Sequence, residues 1–546
     1  MKYYRCPVCG SVASLLLRSL RGKREKNVAT RIQRRVPSWN LALGMCERCL
    51  YLNEFDTLEE HFASRSKGSL FRDRVHNEFA LLPTPLRLNA DPRFTGKGIT
   101  IAFLDSGFYP HPDLTKPVNR IRALVDVTEP PQTEKYFQSP HVESWHGTMT
   151  SVAAAGNGYL SKGLYRGIAS DAEVVLVKVM DSTTRRVSTE NLAKGIRWVI
   201  DHQREFNIGI LSISVGDDEP TPSSESPVNQ AAEDAISSGI VVIAAGGNDP
   251  SRPIVPPASA HSVITVGGMD DQNELDATLR GMYHSTYGKT VDGDEKPELI
   301  APAIWVAGSI LPRTDQYRES RALFAILRST PKSVSKVIER ERNARYEIPA
   351  GIEHGDYKGF ARERINEMHY CAPYYKEVDG TSFAAPIVSS VVAQMLQANP
   401  LLSHRAIKEL LMKTAEPITD IPREQQGGGA LEASKAVSGA LGQLVAGIPS
   451  SHPFSANRDG QRGAVFICLE NADSVAVAGD FNGWDSEVDQ LHEIKTGQWV
   501  GLVHLPAPGR YRYKFVLNGD NWRNDAQTPA QEPDGFGGQN SVLTTD

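Results

Sequence analysis

Residues 241–248 read Val-Val-Ile-Ala-Ala-Gly-Gly-Asn, a run of apolar side chains closed by two glycines, and residues 174–177 read Val-Val-Leu-Val. Successive side chains of a strand point to opposite faces, so such runs bury both faces, as happens in a parallel sheet covered by helices. Between about residues 93 and 445 these runs alternate with helical patterns. The predicted strands are residues 99–104, 173–179, 208–215, 240–245 and 262–267. The sequence therefore predicts an α/β fold with a doubly wound parallel sheet.

The composition is that of a soluble globular chain with more than one domain. The 546 residues include 59 Lys and Arg against 65 Asp and Glu, a net charge of −6, and 40% are hydrophobic. These values exclude a disordered chain, and no apolar run reaches the roughly 18 residues that span a bilayer. The first residues lack the apolar core of a secretory signal, and six cysteines are few for this length. We therefore expect a cytoplasmic protein without a membrane partner.

Three short motifs contain the residues that amide hydrolysis needs. They are Phe-Leu-Asp-Ser-Gly at residues 103–107, which ends a predicted strand, and His-Gly-Thr at 146–148 and Gly-Thr-Ser-Phe-Ala-Ala-Pro at 380–386, which each open a helical stretch. Hydrolysis requires a nucleophile, a base that takes its proton, and a carboxylate that holds the base. Ser382, His146 and Asp105 supply one residue of each kind.

Two further features favour acyl transfer. Ser382 opens a helix, so backbone N–H groups and the positive end of the helix dipole lie near it and favour a developing oxyanion. Asn248 ends a buried strand and carries an amide that supplies a second hydrogen bond. Each residue alone has an ordinary structural role, such as a helix cap for Ser382, a turn for Asp105 or a core position for His146. Their combination favours catalysis.

These motifs resemble, in the order Asp, His, Ser, the signatures of the subtilisin family of serine proteases, over residues 93–445. The resemblance implies a serine endopeptidase that cleaves protein or peptide substrates through an acyl-enzyme. By this resemblance Asp105 orients His146, His146 is general base and then general acid, and Ser382 is the nucleophile. Asn248 and the N–H of Ser382 form the oxyanion hole.

Residues 212–216, Ser-Ile-Ser-Val-Gly, resemble the family's strand that pairs with extended substrate. The expected substrate-binding residues are Ser212, Ser214, Gly216 and Gly247. The alternative to an enzyme is a catalytically silent or partner-gated scaffold of the same fold that binds peptide, carbohydrate or protein partners. Family members often bind calcium, but no calcium site can be assigned from this sequence.

Two Cys-x-x-Cys pairs lie near the amino terminus. Their members are Cys6, Cys9, Cys46 and Cys49. Four thiolates on two such turns suit the tetrahedral coordination of a structural Zn²⁺, although 36 residues separate the pairs where roughly 15–20 are usual. The segment resembles a zinc ribbon with a long insertion. Unligated or redox-active thiols and a rubredoxin-like iron site are the alternatives.

The insertion between the two cysteine pairs is strongly basic. Residues 1–40 contain ten Lys and Arg against the single acid Glu25. This density suits the phosphates of a nucleic acid or an acidic protein surface, including a surface of the enzyme itself. Nucleic acid and a regulatory protein are therefore both candidate partners.

A second insertion, at about residues 313–372, replaces a connection that is short in the subtilisin family. Apolar residues at helical spacing on both sides of Pro331 predict two helices. Loops of this length usually carry structure or function. We interpret the insertion as a lid or a regulatory docking element, with a helical excursion of no function as the alternative.

The chain ends in a pattern of short strands without helices. Predicted strands occupy residues 465–469, 475–479, 499–505 and 511–517, with Asn-Gly turns at 482–483 and 518–519. Residues 477–484, Val-Ala-Gly-Asp-Phe-Asn-Gly-Trp, resemble the glycogen-binding modules of starch-active enzymes and energy-sensing kinases. The resemblance implies an immunoglobulin-like β-sandwich whose aromatic rings stack on an α-glucan. The implied contact residues are Trp484, Lys514, Trp522 and Asn540. A protein-interaction module is the alternative.

These observations divide the chain into five segments. They are a zinc-ribbon-like domain (residues 1–60), a helical connector (61–92), a subtilisin-like peptidase domain (93–445), a linker (446–461) and a glycogen-binding-like β-sandwich (462–546). We expect the terminal domains to regulate or target the protease.

Overall fold

The computed structural model describes residues 3–55, 57, 69–343, 348, 352–446, 454–458, 461–495, 497–528 and 530–545. Internal contacts divide the chain into two compact units. The first comprises residues 1–394 and 411–434, and the second comprises residues 395–410 and 435–546. Among the described residues, no helix is both long and apolar enough to cross a lipid bilayer.

An eight-stranded sheet lies at the centre of the described part of the first unit. Seven strands are parallel, and the eighth, Gly281–Met282, pairs antiparallel with one of them. In spatial order the parallel strands are Leu299–Pro302, Ile264–Asp270, Val241–Ala245, Ile208–Ile213, Thr100–Asp105, Glu173–Lys178 and Ile121–Asp126. Parallel neighbours need crossover connections, and helices supply most of them.

The predicted parallel sheet is confirmed, and burial of its strands explains why the sequence revealed it. Every residue of Thr100–Asp105 is buried, as are the first four of Val241–Ala245. The helices Thr189–Asp201 and Pro227–Ser237 share one hydrophobic cluster with these strands. Continuous burial on both strand faces therefore requires the continuous apolar runs seen in the sequence.

Three strands of the sheet were not predicted, namely the two-residue strand Gly281–Met282 and the two parallel strands at the edges. Ile121–Asp126 lies at one edge and is only partly buried, so it lacks a continuous apolar run. Leu299–Pro302 at the other edge is only four residues long.

Outside the insertion, the other α-helices of residues 93–446 are Pro112–Thr115, Ser144–Ala155, Gln203–Phe206, Thr381–Ala398, His404–Thr414, Arg423–Gln426 and Ala433–Ala446. A small hairpin pairs Gly288–Lys289 with Glu295–Lys296.

In residues 3–55 two strands and two α-helices form a small module. The strands Tyr4–Arg5 and Val12–Ala13 pair antiparallel, and the helices are Gly22–Arg35 and Glu47–Leu52. They share a core that includes Val28, Ile32, Trp39, Met45 and Leu50. The helix Gly22–Arg35 occupies the basic insertion between the cysteine pairs.

The predicted connector of residues 61–92 is partly described. Residues 61–68 lie outside the described residues, whereas residues 69–92 contain the short helices Leu70–Val75 and Thr84–Arg87. The second of these helices ends in a side chain that ties the connector to the peptidase fold.

That side chain is Arg87, whose guanidinium is fully buried. It donates to the two carboxylate oxygens of Asp271 at 2.6 and 2.7 Å. It also donates to the backbone carbonyls of Ile304 and Trp305 at 3.0 and 2.6 Å. The bidentate ion pair and the two carbonyls together accept four hydrogen bonds from the buried guanidinium, which compensates for its removal from water. These bonds fix the position of the connector on the peptidase fold.

The insertion between residues 313 and 372 is helical. The two predicted helices are confirmed as Asp315–Arg328 and Val334–Asn343. A third helix, Tyr357–Glu367, was not predicted, because its buried side chains are only Ala361 and Ile365 and its apolar stripe is weak. Residues 344–347 and 349–351 lie outside the described residues.

A three-stranded antiparallel sheet closes the base of this insertion. Its strands are, in spatial order, Val306–Ser309, Tyr375–Val378 and Tyr370–Ala372. The helices share a core of their own, which includes Leu323, Phe324 and Ile338. Inside that core the Glu319 carboxylate accepts hydrogen bonds from Arg364 and from the Tyr370 hydroxyl, both at 2.7 Å. The insertion is therefore a packed subdomain rather than an extended loop.

The carboxy-terminal β-domain of the second unit is a sandwich of two antiparallel sheets. One contains, in order, Phe454–Arg458, Gln461–Cys468, Gln498–His504 and His492–Lys495. The other contains Val475–Gly479, Gly509–Leu517, Gln539–Thr545 and Gln531–Pro533, with Asn521–Arg523 paired to the second of these. Phe466, Val477, Trp499, Tyr513 and Phe515 fill the space between the sheets. The predicted β-sandwich is confirmed.

The predicted linker of residues 446–461 is too long. Residues 454–458 form a strand that pairs antiparallel with residues 461–465. Its sequence, Phe-Ser-Ala-Asn-Arg, is mostly polar, so it gave no strand signal without its partner. Residues 447–453 and 459–460 lie outside the described residues.

Candidate active site

The predicted catalytic residues gather at one edge of the parallel sheet. Asp105 is the last residue of Thr100–Asp105, and Asn248 follows Val241–Ala245 by three residues. Ser214 directly follows Ile208–Ile213. Since neighbouring parallel strands end at the same edge, the fold brings these segments together.

His146 and Asp105 form a hydrogen-bonded pair. His146 is the third residue of the helix Ser144–Ala155, and its Nδ1 lies 2.7 Å from Asp105 Oδ1. The Asp105 carboxylate is buried and also accepts the backbone N–H of Ser106 at 2.6 Å and the Thr150 hydroxyl at 3.2 Å. A Cβ on Gly147 would lie 2.4 Å from a backbone oxygen and 2.8 Å from Asp105 Cβ. Glycine after the histidine is therefore what lets this helix start against the aspartate.

The environment of His146 has opposing effects on its pKa. Burial lowers the pKa, whereas the charge of Asp105 and the hydrogen bond to it raise the pKa. The contributions of Asp105 together outweigh burial, so the pKa of His146 lies above its ordinary value of 6.5. The ion pair thus favours the imidazolium, the form that a general base reaches after taking a proton.

This shift predicts the direction of the pH dependence. The protonated imidazole cannot accept a proton from a serine, so labelling of the serine by a fluorophosphonate should fall as the pH decreases through a pKa above 6.5. Asp105→Asn removes the charge that raises this pKa, so the midpoint should move to lower pH. The maximal rate should fall by about 10⁴-fold because the tautomer is no longer held. Rate profiles from about pH 5 to 9 test this, and an unmoved midpoint in Asp105→Asn would contradict it.

Ser382 is the second residue of the helix Thr381–Ala398. Its hydroxyl donates to the backbone carbonyl of Ser214 at 3.3 Å, and the Ser214 hydroxyl donates to the carbonyl of Ser382 at 2.9 Å. The ring of the next residue, Phe383, lies 6.1 Å from the His146 ring. The serine motif therefore lies between the histidine and the segment predicted to bind substrate.

Asn248 is held against the start of the same helix. Its Oδ1 accepts the backbone N–H of Thr381 at 2.8 Å and the Thr381 hydroxyl at 2.9 Å. A Cβ on Gly380, whose φ is +124°, would lie 3.4 Å from Asn248 Nδ2. The first N–H groups of a helix have no intrahelical acceptor, and that of Ser382 is one of them. The amide of Asn248 and the backbone N–H of Ser382 therefore both lie at the start of this helix, as an oxyanion hole needs.

The predicted substrate segment is only partly accessible. Ser212 lies inside the sheet between Phe103 and Ile243 and is 1% exposed, so its side chain faces the protein interior. Ser214 is 8% exposed, Gly247 is half-buried and Gly216 is exposed. Of the four predicted residues, the last three are the ones that the fold places at the candidate site.

The structure brings together the sulfurs of the four amino-terminal cysteines, Cys6, Cys9, Cys46 and Cys49. Their sulfurs all lie within 4.8 Å of one another, with the pairs Cys6–Cys49 and Cys9–Cys46 at 3.7 Å. Backbone N–H groups of Cys46 and Cys49 also point at sulfurs of the cluster. A tetrahedral site with bonds of about 2.3 Å has edges of about 3.8 Å, so the spacing fits a metal such as zinc and is far too long for a disulfide.

Several basic residues of the insertion are bonded to groups of the amino-terminal module or of the connector. Arg24 pairs with Glu54 and with Asp73, the latter at 2.6 Å. Arg31 donates to the backbone carbonyl of Glu54 at 2.7 Å, and Arg35 donates to the side chain of Asn53 at 2.9 Å. These contacts favour the interpretation that the basic insertion binds acidic and polar groups of the protein itself.

In the β-sandwich Trp484 and Trp522 form an aromatic pair. Their ring centroids are 6.3 Å apart at 32°, and Trp522 is 42% exposed. Lys514 is tied to Asp534 at 2.7 Å, and Asn540 is only 6% exposed. The fold thus brings the two predicted tryptophans together and leaves Lys514 and Asn540 less accessible.

Sequence reasoning missed two residues that contact predicted catalytic residues. Trp145 is 45% exposed, and its ring stands perpendicular to that of His146 at 5.2 Å. An exposed tryptophan immediately before the His-Gly-Thr motif was a usable signal. The Nδ1 of His284 lies 2.8 Å from the backbone oxygen of Asn248, 36 residues away. No local pattern connects these two positions, so only the fold reveals that contact.

Comparisons with known proteins show the family of the chain. The model of the subtilase family matches residues 96–442. The chain belongs to the subtilase family. This subtilase is 31% identical over 355 residues to the serine protease AprX of Bacillus subtilis, a match that covers 63% of the chain and 67% of AprX. It is 30% identical over 210 residues to subtilisin BL of Lederbergia lenta, which covers 38% of the chain and 65% of that protein.

The chain thus spans about two thirds of the length of both curated relatives. A solved structure of the protease domain of PatA superposes with a TM-score of 0.42 at 19% identity, covering 64% of this subtilase and 98% of that domain. A second family model, the glycogen recognition site of AMP-activated protein kinase, matches residues 464–546. The subtilase is a serine endopeptidase with a glycogen-binding-like domain at its carboxy-terminal end.

Proposed function

We propose that this subtilase cleaves peptide bonds with the triad of Asp105, His146 and Ser382 and through an acyl-enzyme. The observation that supports this most is the 2.7 Å bond between the buried carboxylate of Asp105 and Nδ1 of His146. The bond leaves Nε2 as the nitrogen that can accept a proton. Ser382 stands at the start of a helix whose next residue, Phe383, has its ring 6.1 Å from that of His146.

In the first step the Ser382 hydroxyl turns from the carbonyl of Ser214 toward Nε2 of His146. Its Oγ forms a bond to the substrate carbonyl carbon while His146 takes its proton, and the carbonyl oxygen becomes an oxyanion. Asn248 Nδ2 and the N–H of Ser382 donate to this oxyanion. His146 then gives the proton to the leaving amine as the C–N bond breaks, and water hydrolyses the acyl-enzyme by the same route.

The test is labelling by a fluorophosphonate, because it probes the nucleophile without knowledge of the substrate. The wild-type protein should gain the mass of one probe on the peptide that contains Ser382, and Ser382→Ala should gain none. Ser389→Ala, which changes a buried serine of the same helix, is the matched control and should label like wild type. Labelling at another serine would contradict the assignment. Failure of both wild type and control to label would favour the partner-gated scaffold.

We further propose that the enzyme acts in the cytoplasm and that its terminal domains regulate or target it. All six cysteines lie among the described residues and none of them forms a disulfide, which suits a reducing compartment. The buried Arg87–Asp271 pair joins the amino-terminal segment to the peptidase fold, so changes in that segment have a route to the catalytic domain. We propose zinc as the metal of the four-cysteine cluster.

For the β-sandwich we propose α-glucan binding through Trp484 and Trp522. The apolar face of a sugar ring stacks on an aromatic face, and two tilted rings suit a curved glucan chain. Electrophoresis in a gel that contains glycogen should retard the wild type and not the double variant Trp484→Ala and Trp522→Ala. Leu469→Ala removes an apolar side chain that is 56% exposed in the same domain and should remain retarded. Equal mobility of wild type with and without glycogen would contradict the proposal.

A further inference from the structure

One short segment touches both walls of the candidate oxyanion hole. It comprises residues 283–286, Tyr-His-Ser-Thr, and follows the strand Gly281–Met282. The Tyr283 hydroxyl donates to the carboxylate of Asp379 at 3.1 Å, one residue before the Gly-Thr-Ser turn. On the other wall His284 contacts Asn248. We call residues 283–286 the brace.

The brace fixes three successive residues around the amide of the oxyanion hole. The Thr286 N–H donates to the carbonyl of Gly247 at 3.0 Å, and its hydroxyl donates to the carbonyl of Asp249 at 2.8 Å. Between them, His284 Nδ1 lies 2.8 Å from the carbonyl oxygen of Asn248. A carbonyl oxygen only accepts hydrogen bonds, so Nδ1 must carry a proton.

The side chain of His284 contributes little to the packing of the fold. It is exposed, so its loss removes little buried apolar surface. It stacks on Tyr283 with centroids 4.0 Å apart at 30°, which sets the plane of the ring and aims Nδ1 at the carbonyl. The hydrogen bond to the Asn248 carbonyl is therefore the contact through which this side chain acts.

Asn248 is thereby held at two points. Thr381 holds the side-chain Oδ1, and His284 holds the main-chain carbonyl. Donors to an oxyanion are effective when they are fixed before charge develops, because no reorganisation is then needed during the reaction. We propose that His284 is a positioning residue that fixes the backbone of Asn248 and so aims its Nδ2 at the oxyanion. This inference rests on the proposed triad mechanism.

The experiment compares three variants of the full chain with a fluorescent fluorophosphonate. In His284→Asn the side-chain amide nitrogen takes the place of Nδ1, whereas in His284→Gln the nitrogen reaches the place of Nε2. His284→Ala has no donor. Saturation kinetics of labelling separate kinact, which contains the oxyanion step, from KI, which reports binding. A residue that acts through Asn248 should change kinact and leave KI nearly unchanged.

We expect His284→Ala and His284→Gln to lower kinact about tenfold, less than the 10²-fold or more lost when an oxyanion donor is removed. His284→Asn should restore kinact to within about threefold of wild type, because it keeps the donor. His202→Ala is the matched control. His202 has the same two contacts at the end of the helix Thr189–Asp201, an Nδ1 bond to the carbonyl of Trp198 at 2.8 Å and a ring stack at 4.0 Å.

Three results would overturn the inference: unchanged kinact in His284→Ala, equal loss in His284→Asn and His284→Gln, or a change confined to KI. If His284→Ala does not fold, the comparison of the two amide variants still decides. Failure of the inference is distinct from failure of the proposed function. In the first case wild type labels at Ser382 and the His284 variants give one of these three results, whereas in the second wild type and Ser382→Ala behave alike.

Discussion

Replacing Ser382 by alanine should lower the rate of peptide hydrolysis by about 10⁶-fold, a magnitude taken from subtilisin, which is itself a subtilase. The alanine removes the only oxygen that forms the acyl-enzyme in the proposed mechanism. It leaves the site otherwise intact, because Ser382 lies at the start of a long helix and its hydroxyl makes one bond of 3.3 Å, to Ser214. The rate acceleration that this variant should keep, relative to the uncatalysed reaction in water, comes from substrate binding and the oxyanion donors.

The same loss should follow from His146→Ala, and the double variant should lose no more than either single variant. In the proposed mechanism Asp105, His146 and Ser382 act as a unit, so once one is absent the others have no proton or nucleophile to act on. Hydrolysis of casein, measured by released peptides, provides the rates. Additive losses in the double variant would show that His146 and Ser382 act in separate steps. Ser389→Ala should keep the wild-type rate.

Much of the catalytic core was predictable because its signals are local. The strand Val241–Ala245 is buried on both faces, so its sequence is apolar throughout. The His-Gly-Thr motif was recognised from its short pattern, although the requirement for glycine after His146 comes from a distant segment, since the backbone oxygen of Gly107 lies only 2.4 Å from the missing Cβ. Residues whose neighbours in the chain determine their role can be recognised from the chain alone.

Contacts between distant segments could not be predicted in this way. Arg87 and Asp271 are 184 residues apart and look like ordinary charged residues until the fold buries them together. His284 reaches Asn248 across 36 residues, and the strand Phe454–Arg458 needs its partner before its polar sequence forms a strand. The burial of Ser212 follows from the same rule, because its neighbours on both sides belong to other strands.

Removing the metal ligands should unfold the amino-terminal module. We expect one zinc per chain in the purified protein, and we expect Cys46→Ala to lose it. A structural zinc contributes about 10–16 kcal/mol to the folding of small zinc domains, and a core this small cannot replace that contribution. The core of Val28, Ile32, Met45 and Leu50 would then be exposed. Elemental analysis gives the zinc content, and hydrogen exchange at the amides of the helix Gly22–Arg35 reports the loss of structure.

The matched control is Cys371→Ala. Cys371 is buried like Cys46 but lies in a separate hydrophobic cluster with Tyr165 and Tyr375, so this variant should keep its zinc and its amide protection. The metal-free wild type, prepared with a chelator, should show the same loss of protection as Cys46→Ala and should regain it when zinc is returned. Iron in place of zinc would revise the metal and keep the site. A full zinc content in Cys46→Ala, or unchanged protection after chelation, would contradict a structural metal at these four cysteines. A metal is expected there because sulfurs gathered within 4.8 Å repel one another as thiolates unless a cation lies between them.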